Sequence, residues 1–283
     1  MMYAVGDGEG AMIHFNLSLN EANLDVSSAV FAVFSTPTPW RIISMADAEN
    51  QKPFSRGMVI MAHPDDAEWG CSGTVAKWCA EGWDVVYVLC TDGSKGSPDP
   101  EMTGEKLIKI REKEQRDAGK ILGLKDIVFL GYPDAYLEPT LELRKDIARE
   151  IRRHKPDVVI TNSPARDVES GHYLGHPDHF AAGEAALSAV FPTARDRLTF
   201  PEFLEEGLEP HKVREVWIAG GGKNSDQFVD VEAQIDTAVK ALKAHVSQVD
   251  QEHAGDWFRQ GRIATGKKVG MAYAEGFKRI ELG

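Results

Sequence analysis

Met58-Val59-Ile60-Met61-Ala62-His63-Pro64-Asp65-Asp66 is the stretch on which the fold turns. Five apolar residues run without a polar interruption and stop at a histidine, a proline and two carboxylates. A strand that is apolar at every position, rather than at alternate ones, is buried on both faces, and such strands belong to parallel sheets covered by helices. The pattern repeats downstream. Residues 69–81 read as a helix, and 84–90 as a second strand that ends at Thr91-Asp92-Gly93. Residues 104–122 form a long charged amphipathic helix closed by Gly123, and 127–130 a third strand followed by Tyr132-Pro133-Asp134. Residues 140–154 are helical, 157–161 a fourth strand, 162–175 a polar loop, and 178–190 a helix. Strand and helix alternate throughout, which predicts an α/β fold: a Rossmann-like, mostly parallel sheet with helices on both faces. Beyond 191 the pattern loosens. Residues 213–219 and 227–231 read as strands and 233–249 as a helix.

Upstream of the decisive strand, the first fifty residues show no sustained period. Residues 1–56 are expected to be a poorly ordered N-terminal extension, and 57–283 a single domain. The apolar run at 27–34 has a faint secretory look, but no Lys or Arg precedes it, whereas Asp7, Glu9, Glu21 and Asp25 do. A signal peptide needs a basic start, so none is expected. Met45 opens the polar approach to the first strand and is a candidate alternative start.

Composition narrows the partners. The chain has 283 residues and a formal net charge of -12, so it carries no basic surplus for neutralising nucleic-acid phosphates. No apolar run approaches the ~20 residues that cross a bilayer. The three cysteines, Cys71, Cys79 and Cys90, form no C-x-x-C pair. They read as small buried apolar residues in a reducing, cytoplasmic compartment. A small neutral substrate fits the acidic balance, and a homo-oligomer is compatible with it.

In open parallel sheets, ligands sit beyond the carboxyl ends of the strands. Polar residues gather there: His63 to Asp66 after the first strand, Asp92 at the second, Asp134 after the third, and His172 to His179 after the fourth. His63 and Asp66 stand three apart on a turn set by Pro64. His176 and His179 stand three apart in Gly175-His176-Pro177-Asp178-His179, at a loop-to-helix transition. Two histidines and a carboxylate make the ligand set of a catalytic zinc site with one position left for water. Each motif alone reads equally well as ordinary structure: His-Pro-Asp-Asp as a turn capped by Asp65 or Asp66, His-x-x-His as a solvated helix face. Two of them at strand ends of one sheet favour a metal.

The two motifs resemble the signatures of the LmbE/PIG-L family of zinc-dependent N-deacetylases. The resemblance covers about residues 57 to 250. It extends to Arg111 and Glu114, which are similar to the family's R-x-x-E helix, to Asp134, and to Ala244-His245-Val246-Ser247-Gln248, which is similar to an H-x-S-Q motif. It implies that His63, Asp66 and His179 bind Zn2+, and that Asp65 is the general base acting on a metal-activated water. It further implies that His176 stabilises the oxyanion and helps the amine leave, that Asp178 orients and charges His176, and that Arg111 and Asp134 hold sugar hydroxyls. Four stretches resemble the diacetylchitobiose deacetylase branch: 81–85, 91–93, 207–211 and 273–277. The resemblance therefore implies removal of N-acetyl from a GlcNAc-type mono- or disaccharide. The loop 162–175 departs from that branch by its length, with Glu169, His172 and Tyr173 added. Trp69, Trp83 and Tyr173 are candidates to stack on a sugar, with core burial the alternative for both tryptophans. An amidase of thiol-sugar conjugates on the same fold is the runner-up. A non-catalytic Rossmann-like binding module is disfavoured, because the first strand lacks a following G-x-G-x-x-G and Gly220-Gly221-Gly222-Lys223 lacks the Walker spacing.

Overall fold

The structure, a computed structural model, describes residues 52–167, 174–220 and 224–282, together with the backbones of 3–5 and 41–43. Contacts divide the chain into two units, Met1–Pro53 and Phe54–Gly283. In the first, β1 (Tyr3–Val5) pairs antiparallel with β2 (Arg41–Ile43). The expectation of an extension without regular structure otherwise falls outside the described residues.

The second unit is built on β3 (Arg56–Met61), whose side chains point alternately to two cores. Met58 and Ile60 join a cluster formed with α3 (Leu141–His154) and α4 (Pro177–Ser188). Val59 and Met61 join the opposite cluster, formed with α1 (Asp66–Ala80) and α2 (Gly104–Leu122). Both faces of the strand are therefore dry, which is why its sequence shows no alternation. Beside it run β4 (Asp84–Thr91), β5 (Asp126–Tyr132), β6 (Val158–Thr161) and β7 (Glu215–Ala219). A short helix, α5 (Glu202–Glu205), precedes β7, and β8 (Gln227–Asp230), α6 (Ile235–Leu242), α7 (Ala254–Lys267) and β9 (Ala274–Glu281) complete the unit.

The sheet order is β5-β4-β3-β6-β7-β9-β8. The first five strands in that order pair in parallel, and β9 pairs antiparallel with both β7 and β8. The α/β class and the mostly parallel sheet are as expected. The antiparallel β9 and the helix α7 are not foreseen by the sequence reading. Having gone outward from β3 through β4 to β5, the chain crosses back to lay β6 on the other side of β3. The loops after β3 and β6 thus leave the sheet in opposite directions and open a crevice between them, the place where such folds bind ligands. The two His-Pro-Asp motifs lie on those two loops. Cys71 and Cys90 are buried and Cys79 half-buried. Among the described residues, no helix is long and apolar enough to cross a membrane.

Candidate active site

The loops after β3 and β6 are tied together at their base, where the Ala62 amide donates to Asn162 Oδ1 at 3.0 Å. The next residue, His63, turns its ring into the crevice. Its Nδ1 lies 3.3 Å from His179 Nε2 and 3.4 Å from Asp66 Oδ2, and His179 Nε2 lies 3.0 Å from Asp66 Oδ1. Bonds of ~2.0–2.1 Å around a tetrahedral ion place neighbouring donors ~3.3–3.4 Å apart. The two histidine nitrogens stand at that spacing, and the Asp66 carboxylate turns one oxygen to each of them, so the residues present fit a divalent cation. Asp66 is fixed for the task by the His63 amide, which donates to its Oδ2 at 2.9 Å.

The far edge of the His63 ring meets two more carboxylates. Its Nε2 lies 3.1 Å from Asp134 Oδ1 and 3.2 Å from Asp178 Oδ2. Both acceptors are themselves held: Asp178 by the amides of Ala135 at 2.8 Å and Leu137 at 3.3 Å, Asp134 by the amide of Lys95 at 3.1 Å. A carboxylate on the outer nitrogen of a ligating histidine sets its tautomer and its aim. Burial alone would disfavour a charged His63, but hydrogen bonds to Asp134, Asp178 and Asp66 push its pKa up to about 12. Asp66 moves the other way: burial would raise it, yet bonds from His179 and His63 hold it well below the usual carboxylate range. A cluster this acidic retains positive charge among its histidines, and a divalent cation competes for the same place.

Asp65 occupies the N-cap position of α1 with φ 95° and ψ -24°, but its side chain makes no capping bond. Of the two residues that could cap the turn, Asp65 does not do so with its side chain, whereas Asp66 accepts back from the His63 amide. The Asp65 carboxylate faces Arg111, whose Nη2 lies 3.5 Å from Oδ1. Burial and the neighbouring Asp66 raise the Asp65 pKa to about 7, against the opposing pull of Arg111 and His245.

His176 caps α4 by accepting the Asp178 amide on Nδ1 at 3.2 Å. That bond leaves the proton on Nε2. Burial, together with the neighbouring charge of His63, lowers the His176 pKa, so the ring is a neutral donor. Its plane stands at 88° to that of His63, with ring centres 4.7 Å apart. The sequence reading expects Asp178 to charge His176. In the structure the Asp178 amide holds His176 Nδ1, the Asp178 Oδ1 lies 3.8 Å from that nitrogen and favours its charged form, and the Asp178 Oδ2 lies 3.2 Å from His63 Nε2.

Arg111 and Asp134, expected to hold sugar hydroxyls, are 5% and 3% exposed. The Arg111 guanidinium donates to the carbonyls of Pro64 at 2.7 Å and Gly93 at 3.2 Å, and its Nη1 lies 3.7 Å from Asp134 Oδ2. Both residues form the floor under Asp65 and His63. Trp83 stacks on Trp78 at 4.7 Å just before β4, at the amino end of the strands and away from the crevice. Trp69 is partly buried against Phe258. Glu169, His172 and Tyr173 lie outside the described residues. Two polar residues that the sequence reading did not select, Glu68 and Gln115, are fully buried behind Asp65. Their only local signal is a polar residue on the inward stripe of a helix.

The sequence profile of the PIG-L family, GlcNAc-PI de-N-acetylases, matches residues 58–190. A diacetylchitobiose deacetylase of Thermococcus kodakarensis is 33% identical over 245 residues, covering 84% of this chain and 89% of that protein. A mycothiol S-conjugate amidase of Streptomyces coelicolor is 29% identical over 266 residues, covering 72% and 85%. Among solved structures, the N,N'-diacetylchitobiose deacetylase of Pyrococcus horikoshii, in complex with an inhibitor, superposes with a TM-score of 0.74 at 28% identity. That match covers 85% of this chain and 94% of the other.

Proposed function

Since the chain belongs to the PIG-L/LmbE family, we propose that it is a zinc-dependent hydrolase that removes the N-acetyl group from a small GlcNAc-type sugar, a mono- or disaccharide. The observation that carries the reading is the convergence of His63, Asp66 and His179 beside an Asp65 whose carboxylate is diverted from capping its helix. His63, Asp66 and His179 would hold the cation, which when bound supplies positive charge at the acyl oxygen and acidifies a water. Asp65 accepts the proton of the attacking water. Burial and the neighbouring Asp66 raise its pKa above the ordinary carboxylate value, which makes it a better base toward that water. His176 donates its Nε2 proton as a hydrogen bond to the oxygen that gains charge as the amide carbon becomes tetrahedral. Protonated Asp65 then delivers its proton to the amine, the C–N bond breaks, and acetate and the free amino sugar leave. Asp134 and Asp178 keep His63 aimed, and Arg111 keeps Asp65 in place.

The similarity to diacetylchitobiose deacetylases over most of both chains supports a soluble disaccharide as substrate. The mycothiol S-conjugate amidase at 29% identity supports the second reading, an amidase of thiol-sugar conjugates. Comparative kinetics decide between them, with free-amine release measured on GlcNAc, diacetylchitobiose, GlcNAc-inositol, GlcNAc-malate and a mycothiol-type conjugate. Cleavage of the conjugate with no turnover of any GlcNAc derivative would replace the first reading by the second. Metal analysis tests the centre. The purified protein is expected to hold one zinc per chain, and Asp66→Ala to lose it. Asp65→Asn should keep the metal and lose ~10²–10⁴-fold in kcat. Full metal content in Asp66→Ala, or near-normal turnover in Asp65→Asn, would overturn the assignment.

A further inference from the structure

The peptide group between Pro64 and Asp65 is gripped at both edges by one helix. Its carbonyl accepts from Arg111 Nη2 at 2.7 Å, and its amide donates to Gln115 Oε1 at 3.2 Å. Arg111 and Gln115 are four apart on α2, hence on one face of it. The peptide is planar, with its carbonyl oxygen and amide hydrogen on opposite edges, so bonds to both stop it from rotating. Rotation of that plane is what would change the φ of Asp65, which at 95° is in a region that a non-glycine residue enters only when its surroundings hold it there.

Gln115 is oriented from behind. Its amide nitrogen donates to Glu68 Oε1 at 3.0 Å, so its oxygen must face the Asp65 amide. The other oxygen of Glu68 lies 3.2 Å from His245 Nε2. Glu68, Gln115 and His245 are all 0% exposed. Among the described residues His245 Nδ1 is buried without a partner, so there the ring's polar contact is spent on Glu68 alone. The residue is brought there from the end of α6, where Ser247 docks on α2 through two bonds to Glu114: its amide at 2.8 Å and its hydroxyl at 2.7 Å. Helix propensity and core packing explain none of this, since an apolar residue at each position would spare the cost of burying an ion pair.

We infer that His245 and Glu68, acting through Gln115, are positioning residues that lock the strained backbone of Asp65 and so aim its carboxylate at the reacting water. The inference rests on the reading of Asp65 as the base. The lock touches neither the metal donors nor the substrate, so its loss acts on turnover and leaves binding alone. Gln115→Met and His245→Leu are expected to lower kcat by about 10- to 100-fold, the usual effect of a slightly misplaced catalytic group. KM should stay within about twofold, with zinc content unchanged. His245→Gln, which keeps an N–H to offer Glu68, should recover most of the loss. Should either apolar variant fail to fold, Gln115→Asn carries the same expectation, because its shorter side chain cannot span from Glu68 to the Asp65 amide.

The discriminating measurement is the same substitution made in an Asp65→Asn background. There the lock has nothing left to aim, so no further loss of the residual rate is expected. A merely structural role would lower the rate by the same factor in both backgrounds, and that result overturns the inference, as does wild-type kcat in the single variants. Should Asp65→Asn itself turn over normally, the reading of Asp65 fails, and the lock with it. An inactive Asp65→Asn beside fully active Gln115 and His245 variants removes the lock alone.

Discussion

Asp65 and Asp66 are the same residue type in adjacent positions, and a single backbone torsion separates their fates. The φ of 95° at Asp65 turns one carboxylate toward Arg111, while the amide of His63 draws the other toward the two histidines. That the pair would divide was legible in the sequence, because residues three apart on a turn converge and the one between diverges. The environment that gives each its chemistry was not legible, since it comes from α2, from the loop after β5 and from α4. Asp134 and Asp178 show the same limit: their positions after strands were visible, whereas their shared attention to His63 depends on where the loops fold back. The raised pKa of Asp65, about 7, makes a testable statement. Only the carboxylate form accepts a proton, and it predominates above the pKa. The kcat/KM should therefore fall as pH drops through about 7, and a bound cation, which favours the carboxylate, moves that midpoint lower still. The acid limb should disappear in Asp65→Asn. A profile from mildly acidic to mildly alkaline pH that is flat, or that falls only on the alkaline side, would contradict the assignment of Asp65.

Elements that bury both faces announce themselves, and those that do not stay hidden. The strands β3, β4 and β6 were recognisable from unbroken apolar runs, and α2 from its charged amphipathic period. The strand β9 was missed because it reads Ala-Glu-Gly-Phe-Lys-Arg-Ile-Glu and is largely exposed toward its end. Its place between β7 and β8 is set by pairing with residues far back in the chain. The helix α7 was missed because Gly255, Gly261 and Gly266 lower its propensity. A different glycine sets the height of α4, which brings three of the site's residues. A Cβ on Gly183 would stand 2.5 Å from the Asn162 carbonyl oxygen and 2.9 Å from the Pro164 nitrogen, both backbone atoms. Gly183→Ala must therefore push α4 away from the loop after β6, carrying His176 and His179 with it. Overpacking of this kind costs ~1–3 kcal/mol, a loss of several degrees in Tm, and zinc affinity should fall alongside. Gly261→Ala is the control, since among the described residues nothing lies within 4 Å of its Cβ position. On an exposed helix it should be neutral or raise Tm slightly. Equal effects from the two substitutions, read by thermal melting and zinc titration, would show that the close approach of α4 does not position the site.

At the scale of the whole chain, every residue assigned a role, from His63 to His245, belongs to the unit Phe54–Gly283. The sequence reading placed the start of the domain at residue 57, at the edge of the apolar run. The contacts place it three residues earlier, and those three residues have work to do. The Phe54 ring packs edge-on against Trp83 at 6.3 Å and lies beneath the Arg214 guanidinium at 4.0 Å. The amides of Ser55 and Arg56 both donate to Asp157 Oδ2 at 3.0 Å, joining the amino ends of β3 and β6. Neither kind of contact leaves a mark in local sequence, because each partner lies far away along the chain. Two truncations separate the boundaries. A chain begun at Met45 keeps all of these contacts, and its kcat, KM and Tm should match those of the full chain. A chain begun at Gly57 loses the aromatic packing and leaves a buried Asp157 without two of its donors, at a cost of ~1–3 kcal/mol for each group left unsatisfied. Its Tm should drop by several degrees, while kcat per folded molecule stays unchanged, because the lost contacts lie at the end of the sheet opposite the crevice. A fall in kcat on truncation to Met45 would mean that residues before it reach the site. An unchanged Tm on truncation to Gly57 would return the boundary to the edge of the apolar run.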